Sequence, residues 1–234
     1  MILGSAKGGV ILPNKNNISV AFGGNGGTTN PIVNQDFSSA TGWTLNAIGS
    51  GQTINDAVAG ALNSPITPSF GYMSVTLADS ANWVFQFDME AIGNRDSPYL
   101  QLSSDTSGSG DPTEGNKKFK FSTNNNIGNL RVIMGYYPSG GSFTEVNGED
   151  ASGLWAKDVI YYCEATRNGD AFTFAQYSSA DDRDNRANAL QEISVADITS
   201  AYSDSPDFAY IGVGASGSNG QQNTYNLKLW NVYF

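Results

Sequence analysis

Val159-Ile-Tyr-Tyr-Cys-Glu-Ala-Thr-Arg-Asn-Gly-Asp-Ala-Phe172 is the stretch that decides the fold. Two alternating runs, Val159–Arg167 and Asp170–Ser178, flank Asn168-Gly169. Asn-Gly accepts the two positive φ angles of a type I′ turn, the connection that matches the twist of paired strands. The stretch therefore predicts an antiparallel hairpin. Toward the carboxyl end, Phe208–Ala215 and Thr224–Phe234 read as further strands, separated by the Gly/Ser/Asn stretch Ser216–Asn223. Successive short strands with such turns predict an all-β, two-layer antiparallel sandwich.

Working back toward the amino end, Asn82–Ala91 carries Trp83, Phe85, Phe87 and Met89 alternating with Val84, Gln86, Asp88 and Glu90. Period two places these sets on opposite faces of a sheet. The aromatic set is expected to face the core, at about 2 kcal/mol of transfer free energy per side chain. Asp88 and Glu90 are expected on a solvated face. Gly71–Leu77, Lys118–Phe121 and Asn129–Tyr137 are further strand candidates, and Trp43 is expected to cap the core. Only Ala187–Thr199 hints at helix.

Composition agrees with many short strands and turns. The 234 residues are 39% hydrophobic and 12% aromatic, only 15% are charged, and 27 are glycine. A net charge of −10 argues against nucleic acid and anionic membranes as partners. Cys163 is alone, which excludes an internal disulfide and predicts a buried, inert thiol. Neither a signal peptide nor an apolar membrane span is visible, so synthesis in a cytoplasm is expected if Met1 is the natural start.

Residues 1–33 differ from the rest, with seven glycines around Ile18-Ser-Val-Ala-Phe22. Such a segment suits an adaptable arm whose Ile18, Val20 and Phe22 pair with a sheet edge of the same or a neighbouring subunit, making a homo-oligomer. An ordinary first strand is the alternative. Residues 34–234 are read as one sandwich domain.

Beyond the strand pattern, residues 34–234 resemble concanavalin A-like domains of the lectin, glucanase and laminin-G type. The likeness rests on Trp155, on the hairpin quoted above, on Ala209-Tyr-Ile-Gly-Val-Gly-Ala215 and on Tyr225-Asn-Leu-Lys-Leu-Trp-Asn-Val232. Asp36-Phe-Ser-Ser-Ala-Thr-Gly-Trp43 is similar to the opening of many carbohydrate-binding modules. The resemblance implies a jelly roll with lectin-like glycan recognition. It also implies a departure: glucanases of this fold carry a Glu-x-Asp-x-x-Glu strand, and here Gln86 precedes Asp88-Met-Glu90.

The chain contains no histidine, which removes Ser-His-Asp and Cys-His catalysis and the commonest zinc ligand. No catalytic residue is assigned, and a non-enzymatic role is expected. Sugar recognition needs an aromatic platform beside polar anchors. Tyr136, Tyr137 and Trp155 are the candidates because they adjoin glycine-rich turns, with closure of the core edge as the alternative for Tyr136 and Trp155. Asp181, Asp182 and Asp184 offer oxygens to a hard cation such as Ca2+, or form an acidic turn partly neutralised by Arg183 and Arg186. No other cofactor is expected. Lectin-like strands, an acidic surface and a docking arm together give the expected role. It is a surface-displayed structural or adhesive module, on a virion such as a phage head, tail or fibre or at an extracellular surface, that contacts other virion subunits and a glycan. The alternative is a carbohydrate-binding module of a secreted polysaccharide-active protein.

Overall fold

A computed structural model describes residues 30–55, 59–65, 69–78, 81–92, 98–104, 106, 118–125, 130–137, 144–147, 156–195, 208–215 and 221–231. The amino-terminal candidates Ile18, Val20 and Phe22 lie outside them, as does Trp155. The strands run β1 (Val33–Gln35), β2 (Trp43–Gly49), β3 (Thr53–Ile54), β4 (Leu62–Ser64), β5 (Ser69–Ser74), β6 (Asn82–Ala91), β7 (Pro98–Ser103) and β8 (Lys118–Asn125). They continue with β9 (Leu130–Tyr137), β10 (Thr144–Asn147), β11 (Ile160–Asn168) and β12 (Ala171–Tyr177). A short helix α1 (Ala180–Asn185) precedes β13 (Gln191–Val195), β14 (Tyr210–Ala215) and β15 (Gln222–Asn231).

The strands form two antiparallel sheets, so the all-β sandwich read from the sequence is the fold. The first sheet runs β13-β12-β11-β6-β15-β4-β3, with β1 also pairing β15; the second runs β10-β9-β8-β7-β14-β5-β2. Rings fill the space between them. From the first sheet come Trp83, Phe85, Phe87, Phe172 and Phe174, and from the second Phe119 and Phe121, all buried. Phe119 lies flat on Phe172, with centroids 4.7 Å apart and planes 8° apart, and Trp83 meets Phe119 edge-on at 5.4 Å. Trp43 packs on Phe37 at 5.4 Å at the edge of the same core. Polar ties cross between the sheets: Gln52 Nε2 donates to Ser64 Oγ at 3.1 Å and to the Val213 carbonyl at 2.9 Å, and Gln222 Nε2 donates to the Gly214 carbonyl at 3.1 Å.

Three expectations need correction. In the β11–β12 hairpin Asn168 already pairs with Ala171, so the turn residues are Gly169 and Asp170. Only Gly169 of these has positive φ, at 58°, which is the pattern of a type II′ connection. The helix falls at Ala180–Asn185, while the suspected segment Ala187–Thr199 contributes β13. Ser179 starts that helix by accepting from the Asp182 amide at 3.0 Å, and Arg186, in the left-handed region at φ 50°, ends it. The third concerns β6, where Asp88 was expected in solvent and is instead 2% exposed. Both faces of β6 are covered, because α1 and its flanks pack over β11 and β12 on the outer side of the first sheet.

In β14, Ile211 and Val213 point into the core and Gly212 and Gly214 alternate with them. A Cβ on Gly212 would enter the Phe70 ring that lies across it. Gly212→Ala should therefore lower stability by about 1–3 kcal/mol, and adding Phe70→Leu should recover part of the loss. Denaturant midpoints of the two variants check both expectations.

Candidate functional site

The outer face of the first sheet carries acidic residues that accept hydrogen bonds from within the chain. Asp88 Oδ1 accepts from Arg183 Nη1, and its Oδ2 accepts from Asn226 Nδ2 at 2.9 Å. Arg183, itself buried, also lies over the Tyr162 ring, with its guanidinium carbon 5.7 Å from the ring centroid. Burial pushes the Asp88 carboxyl above its ordinary value, and the Arg183 charge pulls it back. Glu164 Oε1 accepts from Arg186 Nε and its Oε2 from Gln86 Nε2, both at 2.8 Å. Glu90 Oε2 accepts from the Tyr225 hydroxyl at 2.6 Å and from Asn223 Nδ2 at 2.9 Å. Asp88 and Glu90 are thus held by separate partners, Asp88 in an ion pair, an arrangement suited to fixing strands.

The proposed cation ligands lie on α1. Asp182 Oδ2 accepts from Ser179 Oγ at 2.7 Å and Oδ1 from Asn188 Nδ2 at 2.8 Å. These bonds, that from Asn188 first, hold the Asp182 carboxyl below the ordinary carboxylate range. Asp184 Oδ1 accepts from Arg183 Nε at 3.0 Å, and Asp181 is exposed. Among the described residues, no group of three His, Cys, Asp or Glu side chains could hold a metal ion. Arg183 pairs with Asp184 of the acidic turn, as the sequence reading had it, and is at the same time buried and turned inward to Asp88.

The outer face of the second sheet is built differently. Since Leu100, Leu102, Phe119, Phe121, Ile211 and Val213 face the core, the intervening residues face outward. Strand register sets these in rows. One row runs Ser74, Tyr210, Ser103, Lys118, Tyr137; the next runs Tyr72, Gly212, Gln101, Lys120, Gly135. Tyr72 and Tyr210, each half-buried, meet edge-to-face at 5.4 Å. Beneath them lie buried Phe70 and Gln101 beside the bare backbone of Gly212. Two half-buried rings beside exposed Ser74 offer what a pyranose needs first, an apolar platform with a polar group at its rim.

Of the sugar-site candidates, Tyr137 falls in the Tyr210 row, three strands away, about 14 Å at the usual strand spacing. Tyr136 is its neighbour in β9, at the register position across from core Phe119. Sequence reading missed Tyr72 and Tyr210, although the alternation of Tyr210 with glycines in Tyr210-Ile-Gly-Val-Gly214 was the available signal.

No protein-family model matches the chain, and no curated protein matches it in sequence. Solved structures do match in fold. The CBM2 module of the evolved Dit of Lactobacillus casei BL23 phage J-1 aligns with a TM-score of 0.56 at 13% identity, over 88% of this chain and 97% of that one. The exoplasmic domain of VIP36 in its Ca2+/Man3GlcNAc-bound form aligns at 0.53 and 9% identity, over 84% and 86%. The GH43 protein BlXynB of Bacillus licheniformis aligns at 0.52 and 10% identity, over 85% of this chain but 39% of the enzyme. The sandwich is thus an architecture shared with a carbohydrate-binding module, a lectin domain and part of a glycoside hydrolase. Among the described residues no helix is long and apolar enough to cross a membrane.

Two outcomes follow for the first sheet. Arg183→Met leaves the Asp88 charge buried without its ion-pair partner and should cost about 3–5 kcal/mol, whereas Asp88→Asn/Arg183→Met together should cost clearly less; urea titration distinguishes them. Burial, with the Glu164 charge adding to it, pushes the Tyr177 hydroxyl up to about 12. Its neutral form is the one the fold favours. That stabilisation is complete below the ordinary tyrosine value near ~10 and is lost as pH rises through the folded value. Absorbance titration should show Tyr177 ionising late, and a Tyr177→Phe protein should lose that step.

Proposed function

We propose that this protein is a non-enzymatic, glycan-binding β-sandwich module displayed on a surface, of the kind carried by a phage virion. The observation that carries the reading is the outer face of the second sheet. There Tyr72 and Tyr210 stand half-exposed in an edge-to-face pair, with exposed Ser74 next to Tyr210 in the register row. The rings offer an apolar platform that a sugar's C–H face can cover without a conformational change.

The non-enzymatic part rests on the carboxylates of β6. Hydrolysis of a glycosidic bond needs two carboxyls flanking a substrate. Here Asp88 is buried in an ion pair with Arg183, and Gln86 stands where the resemblance calls for a glutamate. The virion part is supported by the phage Dit module, which this chain matches over nearly its whole length. Oligomerisation through residues 1–33 belongs to the same proposal.

Affinity electrophoresis or a glycan array should detect at least one polysaccharide bound by the intact chain. Tyr72→Ala and Tyr210→Ala should each weaken that binding about tenfold or more while thermal unfolding stays cooperative. Undiminished binding in both variants would move the site elsewhere, and release of reducing sugar from the bound glycan would overturn the non-enzymatic reading.

A further inference from the structure

We infer that Glu90, on the outer face of the first sheet, is the anchor of a second binding site that takes a protonated amino sugar such as a glucosamine unit. The site lies apart from the tyrosine pair of the second sheet and does not depend on it. Strand register assembles it. Thr53, Asn63, Asn223, Glu90 and Ile160 occupy one row across β3, β4, β15, β6 and β11. Asn63 and Asn223 are buried, and Glu90 is half-buried. Asn63 Nδ2 donates to Asn223 Oδ1 at 2.8 Å, and Asn223 Nδ2 donates in turn to Glu90 Oε2.

A bulge in β15 completes the site. Its register with β6 shifts between Thr224 and Leu227, and the intervening Tyr225 and Asn226 both reach β6 carboxylates on the outer face. Bulges re-aim side chains in this way. Burial, and after it the hydrogen bond to Glu90, pushes the Tyr225 hydroxyl above its ordinary value, so it stays a donor. Both donors act on Oε2, which fixes the carboxylate's orientation. Glu90 Oε1 accepts from neither and is not sealed from solvent.

Charge separates Glu90 from its neighbours. Asp88 is paired with Arg183 and Glu164 with Arg186, whereas the partners of Glu90 are a neutral amide and a neutral phenol. An oriented carboxylate oxygen without a counter-ion receives an ammonium group through a charge-assisted hydrogen bond. Exposed Asn226 is bonded to Asp88, which lies two residues from Glu90 along β6, about 7 Å away. A basic side chain of another protein would use the carboxylate alone. An amino sugar also engages the Asn226 amide through its hydroxyls and the half-buried Tyr225 ring through its C–H face. The net charge of −10 draws such a cation toward the protein.

Isothermal titration of the full chain at about 0.15 M salt, where the Debye length is about 8 Å, tests the assignment. The probes are glucosamine oligomers, N-acetylglucosamine oligomers, cello-oligosaccharides and oligolysine of matched charge. The glucosamine oligomer should bind at least tenfold more tightly than each of the other three. Glu90→Gln keeps an acceptor for Tyr225 and Asn223 and removes the charge, so it should lose tenfold or more of that affinity with an unchanged thermal midpoint. Tyr72→Ala and Tyr210→Ala should leave it unchanged. Equal binding of the acetylated or cello-oligomers overturns the amine assignment on the unaltered protein, whether or not Glu90→Gln folds. Oligolysine binding as tightly reduces the site to general attraction by an acidic surface and also overturns it. Full affinity in Glu90→Gln, or loss in either tyrosine variant, puts the amino sugar elsewhere and overturns the site. Absence of glucosamine binding overturns it too, and leaves the reading of Tyr72 and Tyr210 to its own test.

Discussion

The sandwich depends on rings from two sheets meeting flat and edge-on in one layer. Phe119 against Phe172 at 4.7 Å, with Trp83 on its edge and Phe121 stacked near Phe174 at 5.6 Å, sets how the second sheet sits on the first. Each such ring contributes about 2 kcal/mol by burial, and favourable ring pairs add about 1 kcal/mol more. The layer also fixes register. A one-residue slip of β6 would bring Asp88 among the phenylalanines and carry Phe87 toward Arg183, a far larger penalty than any single ring contact.

That constraint explains why the opposite face of β6 is polar without being wet. Once Trp83, Phe85 and Phe87 are committed to the core, Gln86, Asp88 and Glu90 must stand on the other side. There Arg183 of α1 reaches over to Asp88, and Asn223, Tyr225 and Asn226 of neighbouring β15 reach across to Asp88 and Glu90. A carboxylate enclosed in this way needs a charge partner, and Arg183 is aimed at it by a helix of six residues. The cap at Ser179 and the left-handed Arg186 hold the helix ends, and Arg186 turns its strained position to use by donating to Glu164. An ion pair of this kind adds little net stability over apolar residues of the same size, yet either charge left alone would be costly. Its effect is to fix where α1 sits.

Much of this was legible in the residues and some was not. Strict period two in Asn82–Ala91 and the Gly169 turn gave strands to within a residue or two, because alternation and a positive-φ glycine are local signals. The helix was misplaced because Ala180–Asn185 shows no apolar periodicity; its one inward residue is Arg183, which buries a charge where a pattern search looks for a hydrophobe. Asp88 was read as solvated for the same reason, since burial on that face is decided by a segment 95 residues away. At the candidate site, Tyr137 was singled out for its adjacent glycines. Its place in the row of Tyr210 depends on four strands pairing in register, information that does not exist until the sheet forms.

The two outer faces, built by the same alternation, end up chemically opposed. On the first sheet the side chains of Asp88 and Glu164 satisfy their acceptors inside the chain, so the face contributes rigidity and negative charge. On the second, β14 gives up side chains at Gly212 and Gly214, Phe70 lies across Gly212, and tyrosines remain beside it. A protein that needed only to be stable would have little reason to leave half-exposed rings on a sheet already sealed against its partner by aliphatic and aromatic residues beneath. Stability is supplied by the inward positions of β14; the outward ones are free to be selected for what they touch.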